Sequence, residues 1–439
     1  MQLQSRKKWT VNGTSRVRPA QETLDKVIPL QDKIGVTRLA DITDMDVLRI
    51  PNFSAVLPGT EDYIWVYSGK GPTKQHAMAS ALMESIERYS SLPSGGPRKF
   101  VRSSYADLSK NHKILHPDEI IEPVRFDYRE HMQMDWLAGY DLATGEQVMV
   151  PASIALFRYT PSPPAVSPFV YSHTNGLASG NVMEESICHA LCEVIERDAM
   201  SLAELRASAI PFHVLRSMTH SLVTAGFNVP PIPSEKFVDD PAVFPDVDIS
   251  GIDFQPVTDL VAMFEKAGIP LTVKDITSDT GIPTFNASSV EWVSHDYGFV
   301  AEGHGTHPDA RIALLRAITE VSQTRAANIQ GARDDLRKIR YGETNTDEKR
   351  AWQFMPSTSR RKFSEIPTFF NEDILDDINL IVARLKQIGL ARIVIVDLTN
   401  PEINIPVVRA IVPGLETFKI TKSVMGKRAR ACFRQWQSR

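Results

Sequence analysis

Three short segments of the chain carry paired side chains that could hold a metal ion. They read ALMESIERYS from Ala81, ALCEVIERDA from Ala190 and AITEVSQTRA from Ala317. Residues three positions apart share one face of a helix, so each segment brings two oxygen-bearing side chains together. The three pairs are Glu84 with Glu87, Glu193 with Glu196, and Glu320 with Gln323. A single copy is typical of a surface ion pair with a following Arg, whereas three copies indicate a shared chemical role.

The chemistry of these side chains points to a hard cation. Five converging carboxylates would repel one another strongly unless a cation balanced their charge. Carboxylate and amide oxygens suit Mg²⁺, which keeps several waters and takes further oxygens from the phosphates of a nucleotide. Glycine loops and helix N-termini supply N–H donors for the same phosphates. The residue types therefore predict a Mg²⁺–nucleotide site built from the repeated helices.

The context of the three segments also repeats. They follow the β-rich, Gly-containing runs DYIWVYSGKG, SPFVYSHTNGLASG and DYGFVAEGHGTH. Gly71 lies thirteen positions before Glu84, and Gly180 lies thirteen positions before Glu193. In the third copy His307 takes that position, next to the glycines of GHGTH. The order strand, glycine loop, helix is therefore predicted three times.

Other motifs are weaker. The loop NGLASGN lacks the Lys-Ser/Thr ending of a P-loop. The two His of GHGTH lack a nearby third ligand for zinc. Cys188 and Cys192 lie four positions apart with only His189 as a basic neighbour, so we expect a buried structural pair.

The composition excludes several classes of protein. The chain has 439 residues, is 42% hydrophobic and carries a net charge of −4, which implies no bulk attraction to nucleic acid or to membranes. The first residues, MQLQSRKKWTVNG, have no apolar signal core, and no run of 18 apolar residues follows. Three cysteines favour a reducing compartment over a disulfide scaffold. We expect a cytoplasmic protein.

Helix and strand patterns alternate in the second half of the chain. The segment Thr258 to Gly268 is predicted to be an amphipathic helix with a Gly stop, followed by the strand IPLTVKDIT. Glu372 to Leu390 is predicted to be a longer helix, followed by the strand RIVIVDL. These units predict sheets covered by helices.

The intervening segments are predicted to be irregular. The Pro-rich stretches Arg158 to Phe169 and Asn228 to Val247 favour ordered loops. The polar stretch Arg340 to Glu365 is typical of a loop or lid. The final GKRARACFRQWQSR is predicted to be a basic, solvated end.

Several of these segments resemble the signatures of the YcaO family. The resemblance rests on SALMESIERYS, TNGLASGNVMEESICHALCEVIERDA and HPDARIALLRAITEVSQTRAA, and on VVRAIVPGLE (Val407 to Glu416), which resembles the strand and turn that close the family's core. It extends from about Arg16 to Glu416. The resemblance implies an α+β YcaO-type fold, with mixed β-sheets packed with helices around the repeated modules. It implies a single catalytic core over residues 1–439, with 417–439 as a basic C-terminal tail.

The resemblance also implies an enzyme that uses ATP and Mg²⁺ on a peptide backbone amide. A nucleophile adds to the amide carbonyl, ATP phosphorylates the resulting oxyanion, and loss of phosphate leaves an azoline, a thioamide or an amidine. Phosphorylation makes physical sense because the amide oxygen is otherwise a poor leaving group. Metals held by carboxylates would bridge the phosphates and screen their charge.

The site residues implied by the resemblance follow position by position. ATP contacts are expected from Arg16, Thr23, Ser80, Glu84, Glu87, Arg88, Asn175, Ser186, Glu193, Glu196, Arg197, Glu320, Gln323 and Arg325. The expected Mg²⁺ ligands are Glu84, Glu87, Glu193, Glu196, Glu320 and Gln323. The residues expected to be catalytic are Glu84, Glu193, Glu196, Arg197 and Gln323. For Arg88 and Arg197, ion pairing on the helix face is the structural alternative.

One departure from the family pattern bears on the product. Azoline-forming members commonly end in a Pro-rich tail, whereas this sequence has no proline after Pro413. That favours members with an external nucleophile, such as sulfide for thioamidation. Archaeal members of this kind stand alone, are associated with a TfuA-like sulfur-delivery partner, and convert a glycine of methyl-coenzyme M reductase to thioglycine. We expect no fused leader-peptide-binding domain, so the core or a partner would recognise the peptide or protein substrate.

Two alternatives to thioamidation stay open. One is azoline formation on a ribosomal peptide that a separate partner presents. The other is a nucleotide-binding accessory protein without catalysis, although every carboxylate of the triple module is present. Neither nucleic acid nor a membrane is expected as a partner, and a homodimer is left open.

The metal assignment predicts the effect of two conservative substitutions. Glu84→Gln or Glu193→Gln should abolish ATP turnover and leave the fold intact, because both carboxylates are expected to face the site and the amide removes only their charge. Phosphate release and circular dichroism measure the two effects. Normal turnover in either variant would show that the assignment is wrong.

Overall fold

The fold was analysed in a computed structural model. The structure describes residues 1–9, 15–58, 64–125, 127–170, 172–207, 219–229, 243–294, 297–331, 352–421 and 424–437. The chain divides into two compact units, each formed by several chain segments. Unit 1 comprises Met1–Thr43, Pro51–Ile195 and Phe369–Leu415. Unit 2 comprises Asp44–Ile50, Glu196–Thr368 and Glu416–Arg439.

Helices and strands alternate through both units. The α-helices are α1 (Ala20–Val27), α2 (Lys74–Ser91), α3 (Tyr105–Leu108), α4 (Ala152–Ala155), α5 (Met183–Ala207), α6 (Gln255–Ala267), α7 (Ala310–Gln330), α8 (Ile374–Gln387), α9 (Phe418–Thr421) and α10 (Lys427–Gln437). The strands are β1 (Arg38–Asp41), β2 (Asn52–Pro58), β3 (Ile64–Lys70), β4 (Val101–Ser104), β5 (Gln133–Asp141), β6 (Glu146–Pro151), β7 (Leu177–Ser179), β8 (Asp246–Asp248), β9 (Thr272–Asp275), β10 (Thr284–Ser294), β11 (Tyr297–Thr306), β12 (Arg360–Lys362), β13 (Val394–Asp397) and β14 (Val407–Ile411). Within the described ranges, no helix is long and apolar enough to cross a membrane.

Unit 1 contains two antiparallel sheets. One has the order β1-β2-β3, and the other has the order β4-β5-β13-β14-β7, with β6 also paired to β5. Its main apolar core includes residues of both sheets and the buried face of α2, where Ala77, Ala81, Leu82 and Ile86 are fully enclosed. The small residues on α2 let the helix lie close to its neighbours.

Unit 2 contains one mixed sheet. Its order is β11-β10-β9-β8-β12, and the pairs are antiparallel except for the parallel pair β8–β12. Helix α7 follows β11 and buries Ala313, Ala317 and Val321 in the same apolar core as Phe285 of β10. The combination of helices with antiparallel and mixed sheets confirms the α+β class.

The predicted order of strand, loop and helix is confirmed in all three copies. Strand β3 leads into α2, β7 into α5, and β11 into α7. The Thr73 side chain caps α2 by accepting the His76 N–H, and the Asp309 side chain caps α7 by accepting the Arg311 N–H. These caps satisfy N–H groups that have no partner inside the helix.

A glycine in the first module allows strand and helix to touch through their backbones. A Cβ at Gly69 would overlap the carbonyl oxygen of Ala77 and the amide nitrogen of Ala81. These atoms lie eight and twelve residues beyond the glycine, and Glu84 lies fifteen beyond it. The close approach therefore fixes where along β3 the carboxylate of the helix is presented.

The third module repeats this contact at the same spacing. A Cβ at Gly305 would overlap the carbonyl oxygen of Ala313 and crowd the amide nitrogen of Ala317, again eight and twelve residues on. Glu320 again lies fifteen residues beyond the glycine. The two modules thus share one packing geometry, which the thirteen-residue count to Gly71 and His307 indicated only indirectly.

The helix and strand predictions for the second half of the chain are confirmed. Helix α6 ends at Ala267 and is followed by Gly268, whose φ of 68° is the left-handed conformation that glycine favours, and then by β9. Helix α8 is followed by β13. The Pro-rich stretch Arg158 to Phe169 contains turns and no helix or strand.

Parts of two predicted loops lie outside the described residues. These parts are 230–242 of the stretch Asn228 to Val247 and 340–351 of the stretch Arg340 to Glu365. The described ends of both stretches contradict the prediction of irregular structure. There β8 and β12 pair in parallel, with Arg361 opposite Val247. Strand pairing satisfies backbone groups that an isolated loop would leave to water.

The prediction of a solvated C-terminal end is wrong for the described residues. The segment forms α10, in which Ala429 is fully buried and Cys432 nearly so. Both side chains join an apolar cluster with Leu205 and Phe418. Residues three apart share a helix face, so this basic segment still has one apolar side.

The cysteine prediction is confirmed. Cys188 and Cys192 are both buried and free of any disulfide. Their mutual contact and burial raise the pKa of Cys188 well above its usual value. Such a thiol is a poor nucleophile and serves packing.

The glycine contacts predict a stability effect. Gly69→Ala or Gly305→Ala should destabilise the protein by about 3 kcal/mol or more, because each added methyl group meets helix backbone that cannot rotate away. Gly268→Ala is the control: it faces open space and should cost only about 1 kcal/mol of left-handed strain. Thermal unfolding measures both. Equal losses in all three variants would contradict the close approach.

Candidate active site

The first acidic pair lies on α2 around an arginine. Arg88 Nη1 donates to Glu87 Oε1 at 2.5 Å, and Nη2 donates to Glu84 Oε1 at 3.1 Å. The Arg88 side chain is 16% exposed and that of Glu87 only 10%, so this is not a solvated surface pair. The ion pairing that was the structural alternative for Arg88 is present, but it is part of a buried charged cluster.

The second helix adds a further carboxylate to this cluster. Burial raises the pKa of Glu87 to about 8 against the opposing effect of Arg88, and the negative charges of Glu193 and Glu84 raise it further. Glu193, from α5, is therefore close enough to repel Glu87. Within unit 1, the structure brings together Glu84, Glu87 and Glu193 as predicted.

Sequence reasoning missed Arg409, a basic residue of the same cluster. It lies on β14 and is 1% exposed. Burial lowers its pKa to about 10, while the nearby carboxylates of Glu193 and Glu122 work in the opposite direction. The signal was an arginine inside the apolar run VVRAIV, a position where a charge is costly unless it is paired.

A second group of polar residues joins the N-terminal segment to the start of α5. Arg16 Nη1 lies 3.1 Å from Glu185 Oε1, and its Nη2 lies 3.3 Å from His189 Nδ1. Thr23 Oγ1 donates to Asn181 Oδ1 at 3.0 Å, and Asn181 Nδ2 donates to Glu185 Oε1 at 3.1 Å. The structure thus brings the predicted Arg16 and Thr23 together around two residues that the sequence analysis did not select, Asn181 and Glu185.

The remaining predicted residues of unit 1 differ in their surroundings. Ser80 is half-buried on α2. Ser186 is fully buried, and its hydroxyl donates to the carbonyl of Pro406 at 3.0 Å, so it already serves the fold. Asn175 donates its N–H to His173 Nδ1, while its buried Oδ1 has no hydrogen-bond partner among the described residues. That oxygen could accept a hydrogen bond from a bound ligand.

The predicted residues of unit 2 lie on α5 and α7. Glu196 is 3% exposed, and Arg197, Glu320 and Gln323 are half-buried. Burial lowers the pKa of His304 to about 4; Glu302 and Glu320 act against this, and Lys419 and Arg197 act with it. This residue of GHGTH is therefore neutral at pH 7 and shares an electrostatic environment with Glu320 and Arg197.

Arg325 lies in a separate ion-pair network of unit 2. Its guanidinium donates twice to Asp46, each time at 2.9 Å, and once to Glu291 at 3.0 Å. The residue is 6% exposed. These bonds tie α7 to the segment around Asp46, so a phosphate would have to displace a carboxylate in order to bind Arg325. Its predicted contact with ATP stays a prediction.

The donor set of unit 1 fits a divalent cation. Glu84, Glu87 and Glu193 provide hard oxygen ligands, and the mutual repulsion seen at Glu87 is what a bound cation would relieve. Arg88 and Arg409 could balance phosphate oxygens as well as carboxylates. The arrangement can therefore hold a metal together with a phosphorylated ligand.

Comparison with other proteins agrees with this chemistry. The family model for YcaO cyclodehydratases, described as ATP- and Mg²⁺-binding, matches residues 68–232 and 236–416. A protein of Methanothermobacter thermautotrophicus is 35% identical over 425 residues, which cover 94% of this chain and 98% of that protein. A Rhizobium leguminosarum protein from the tfuA 3′ region is 29% identical over 91% of this chain and 88% of its own length.

Solved structures show the same fold. A heterocyclase in complex with substrate and cofactor superposes with a TM-score of 0.76 at 24% identity, over 98% of this chain. This chain spans 56% of the heterocyclase chain. YcaO from Methanopyrus kandleri, bound with AMPPCP and Mg²⁺, superposes with a TM-score of 0.69 at 22% identity, over 96% of this chain and 98% of that one. The match of the family model over most of its length shows that this chain belongs to the YcaO family of ATP- and Mg²⁺-binding, cyclodehydratase-like enzymes.

Proposed function

We propose that this protein uses ATP and Mg²⁺ to activate a backbone amide of a peptide or protein and converts that amide to a thioamide. The observation that carries the proposal is the largely buried cluster in which Arg88 pairs with Glu84 and Glu87, while the charge of Glu193 acts on both Arg88 and Glu87. Three carboxylates with too little positive charge between them favour a cation, and the arginines favour the phosphates that accompany it.

The proposed Mg²⁺ ligands are the three oxygen-bearing pairs of the repeated helices: Glu84, Glu87, Glu193, Glu196, Glu320 and Gln323. When bound, Mg²⁺ supplies charge screening for the phosphoryl group that is transferred. Arg88 and Arg197 would bind phosphate oxygens, and Arg16, Thr23, Ser80, Asn175 and Ser186 are the further proposed contacts to ATP. Glu84, Glu193, Glu196, Arg197 and Gln323 are the proposed catalytic residues.

The proposed reaction balances without an oxidant or a reductant. Hydrosulfide adds to the amide carbonyl carbon, and the resulting oxyanion attacks the γ-phosphorus of ATP and releases ADP. The carbon–oxygen bond then breaks, phosphate leaves with the former carbonyl oxygen, and loss of the sulfur-bound proton leaves a C=S group. The chain's arginines would stabilise the charge that develops on the phosphoryl oxygens.

A relative supports sulfide over an internal nucleophile. The Rhizobium relative is named for its place in a tfuA region, which is consistent with a TfuA-like protein as the sulfur-delivery partner. A substrate related to methyl-coenzyme M reductase, with a glycine converted to thioglycine, belongs to the same proposal. The second candidate is azoline formation, which the cyclodehydratase description of the family favours.

One experiment separates these reactions. The protein is incubated with Mg–ATP, sulfide and a peptide that contains Gly followed by Cys, so that both reactions are possible, and both phosphate release and peptide mass are measured. We expect phosphate release that depends on the peptide, and a mass increase equal to the exchange of oxygen for sulfur. A mass decrease of one water would instead establish azoline formation.

Two Glu→Gln substitutions provide a test variant and its matched control. Glu84→Gln should abolish product, whereas Glu402→Gln should not, because Glu402 is 72% exposed and pairs only with Lys33 among the described residues. Absence of peptide-stimulated phosphate release with every nucleophile tested would exclude both reactions and favour the accessory-protein alternative.

A further inference from the structure

Glu122, His173 and Arg409 of unit 1 form a buried chain of polar contacts to which the proposed reaction assigns no role. Glu122 is 4% exposed, and its Oε1 lies 2.6 Å from Nε2 of His173. Arg409 donates through Nη1 to the backbone carbonyl of His173 at 2.8 Å, and its Nη2 lies 3.2 Å from Nδ1 of the same ring. The imidazole therefore connects a buried carboxylate to a buried guanidinium.

The hydrogen bonds define which ring nitrogen of His173 carries the proton. Nδ1 faces two groups that can only donate, the Arg409 guanidinium and the backbone N–H of Asn175 at 3.2 Å. Nδ1 must therefore be the acceptor, and the proton lies on Nε2, where it is donated to Glu122. The ring is neutral, and the negative charge of Glu122 is placed behind Arg409.

The backbone places Arg409 beside the helix that carries Glu193: a Cβ at Gly176 would overlap both the carbonyl oxygen of Ala410, the residue after Arg409, and the side chain of Val194, the residue after Glu193. The charges that act on its guanidinium include those of Glu193 and Glu87. Its Nε is buried and has no hydrogen-bond partner among the described residues. The Nε–H of an almost fully enclosed guanidinium is thus left for a ligand that accepts hydrogen bonds.

The sheet itself does not require an arginine here. On the neighbouring strands, Arg409 pairs with Leu177 of β7 and Val396 of β13, which are both apolar and buried. Placing a charge among such residues is costly unless the charge is matched. An apolar residue would fit the strand pattern, so the guanidinium indicates a function.

We propose that Arg409 is a fixed cation of the carboxylate cluster of unit 1, and that Glu122 and His173 are positioning residues that hold its guanidinium there. The inference rests on the proposed function, since it takes the cluster to bind Mg²⁺ and a nucleotide. Arg409 binds a phosphate oxygen through its Nε–H, and its charge opposes the binding of Mg²⁺ to a cluster that holds no nucleotide.

This assignment predicts effects of opposite sign on the two ligands. Arg409→Met removes the positive charge, so Mg²⁺ alone should bind more tightly while a non-hydrolysable ATP analogue binds about tenfold or more weakly. Glu122→Gln keeps the hydrogen bond to His173 and removes the negative charge behind Arg409. That variant should therefore bind Mg²⁺ alone more weakly and bind the analogue at least as well as the original protein.

Calorimetric titration of the full chain measures both affinities, first with MgCl₂ alone and then with the analogue at saturating Mg²⁺. Arg392→Met is the control, because Arg392 pairs with the half-exposed Glu119; neither affinity should change. Arg409→Lys restores the charge without the planar fork, so it should recover the Mg²⁺ affinity of the original protein but only part of its affinity for the analogue.

The outcomes distinguish the inference from the proposed function. If Arg409→Met weakens both ligands in parallel, or changes neither, Arg409 is a structural residue and the inference is wrong. If Arg409→Met does not fold, the Glu122→Gln variant decides alone: an unchanged or increased affinity for Mg²⁺ overturns the inference. If the original protein binds neither Mg²⁺ nor the analogue, the proposed function itself fails.

Discussion

Carboxylates that share a buried space repel one another, and the chemistry of this protein depends on how that repulsion is balanced. In unit 1, Glu87 is almost enclosed and lies near two further glutamates, which with burial raise its pKa to about 8. Arg88 offsets part of this charge through two short contacts on the same helix. What is left favours a divalent cation, so the electrostatic imbalance itself indicates the cofactor.

The backbone arrangement that presents these carboxylates is equally constrained. A glutamate on a helix reaches a defined point only if the helix is fixed along its strand. Gly69 and Gly305 achieve this by allowing direct backbone contact with α2 and α7 at identical spacings. Any larger residue would push the helix away from the strand and move the carboxylate with it. The repeated module is thus a device for positioning charge.

The arginines of the two units show how one residue type serves different purposes. Arg325 makes three hydrogen bonds to carboxylates and joins segments of unit 2. Arg88 lies within the acidic pair of its own helix. Arg409 is hydrogen-bonded to His173, and its Nε–H has no partner among the described residues. The hydrogen-bond partners of each arginine, and not its neighbours in the sequence, distinguish a structural guanidinium from one that has an N–H available for a ligand.

The sequence by itself determined the features that depend on local spacing. The acidic pairs three residues apart, the triple order of strand, loop and helix, the helices α6 and α8, and the glycine stop of α6 follow from helical periodicity and from the backbone freedom of glycine. The resemblance of longer segments to the YcaO signatures implied the fold class and the family. The acidic pairs were sufficient to select Glu84, Glu87 and Glu193, which the structure brings into one cluster.

Only the tertiary structure decided which distant residues meet. Arg409 lies more than two hundred residues from His173 and Glu122, and Arg325 lies equally far from Asp46. The packing of α10 likewise depends on an apolar surface formed by another part of the chain, which its basic composition did not reveal. Side-chain pairing across such separations is set by strand order and helix packing, and no local pattern in the sequence records it.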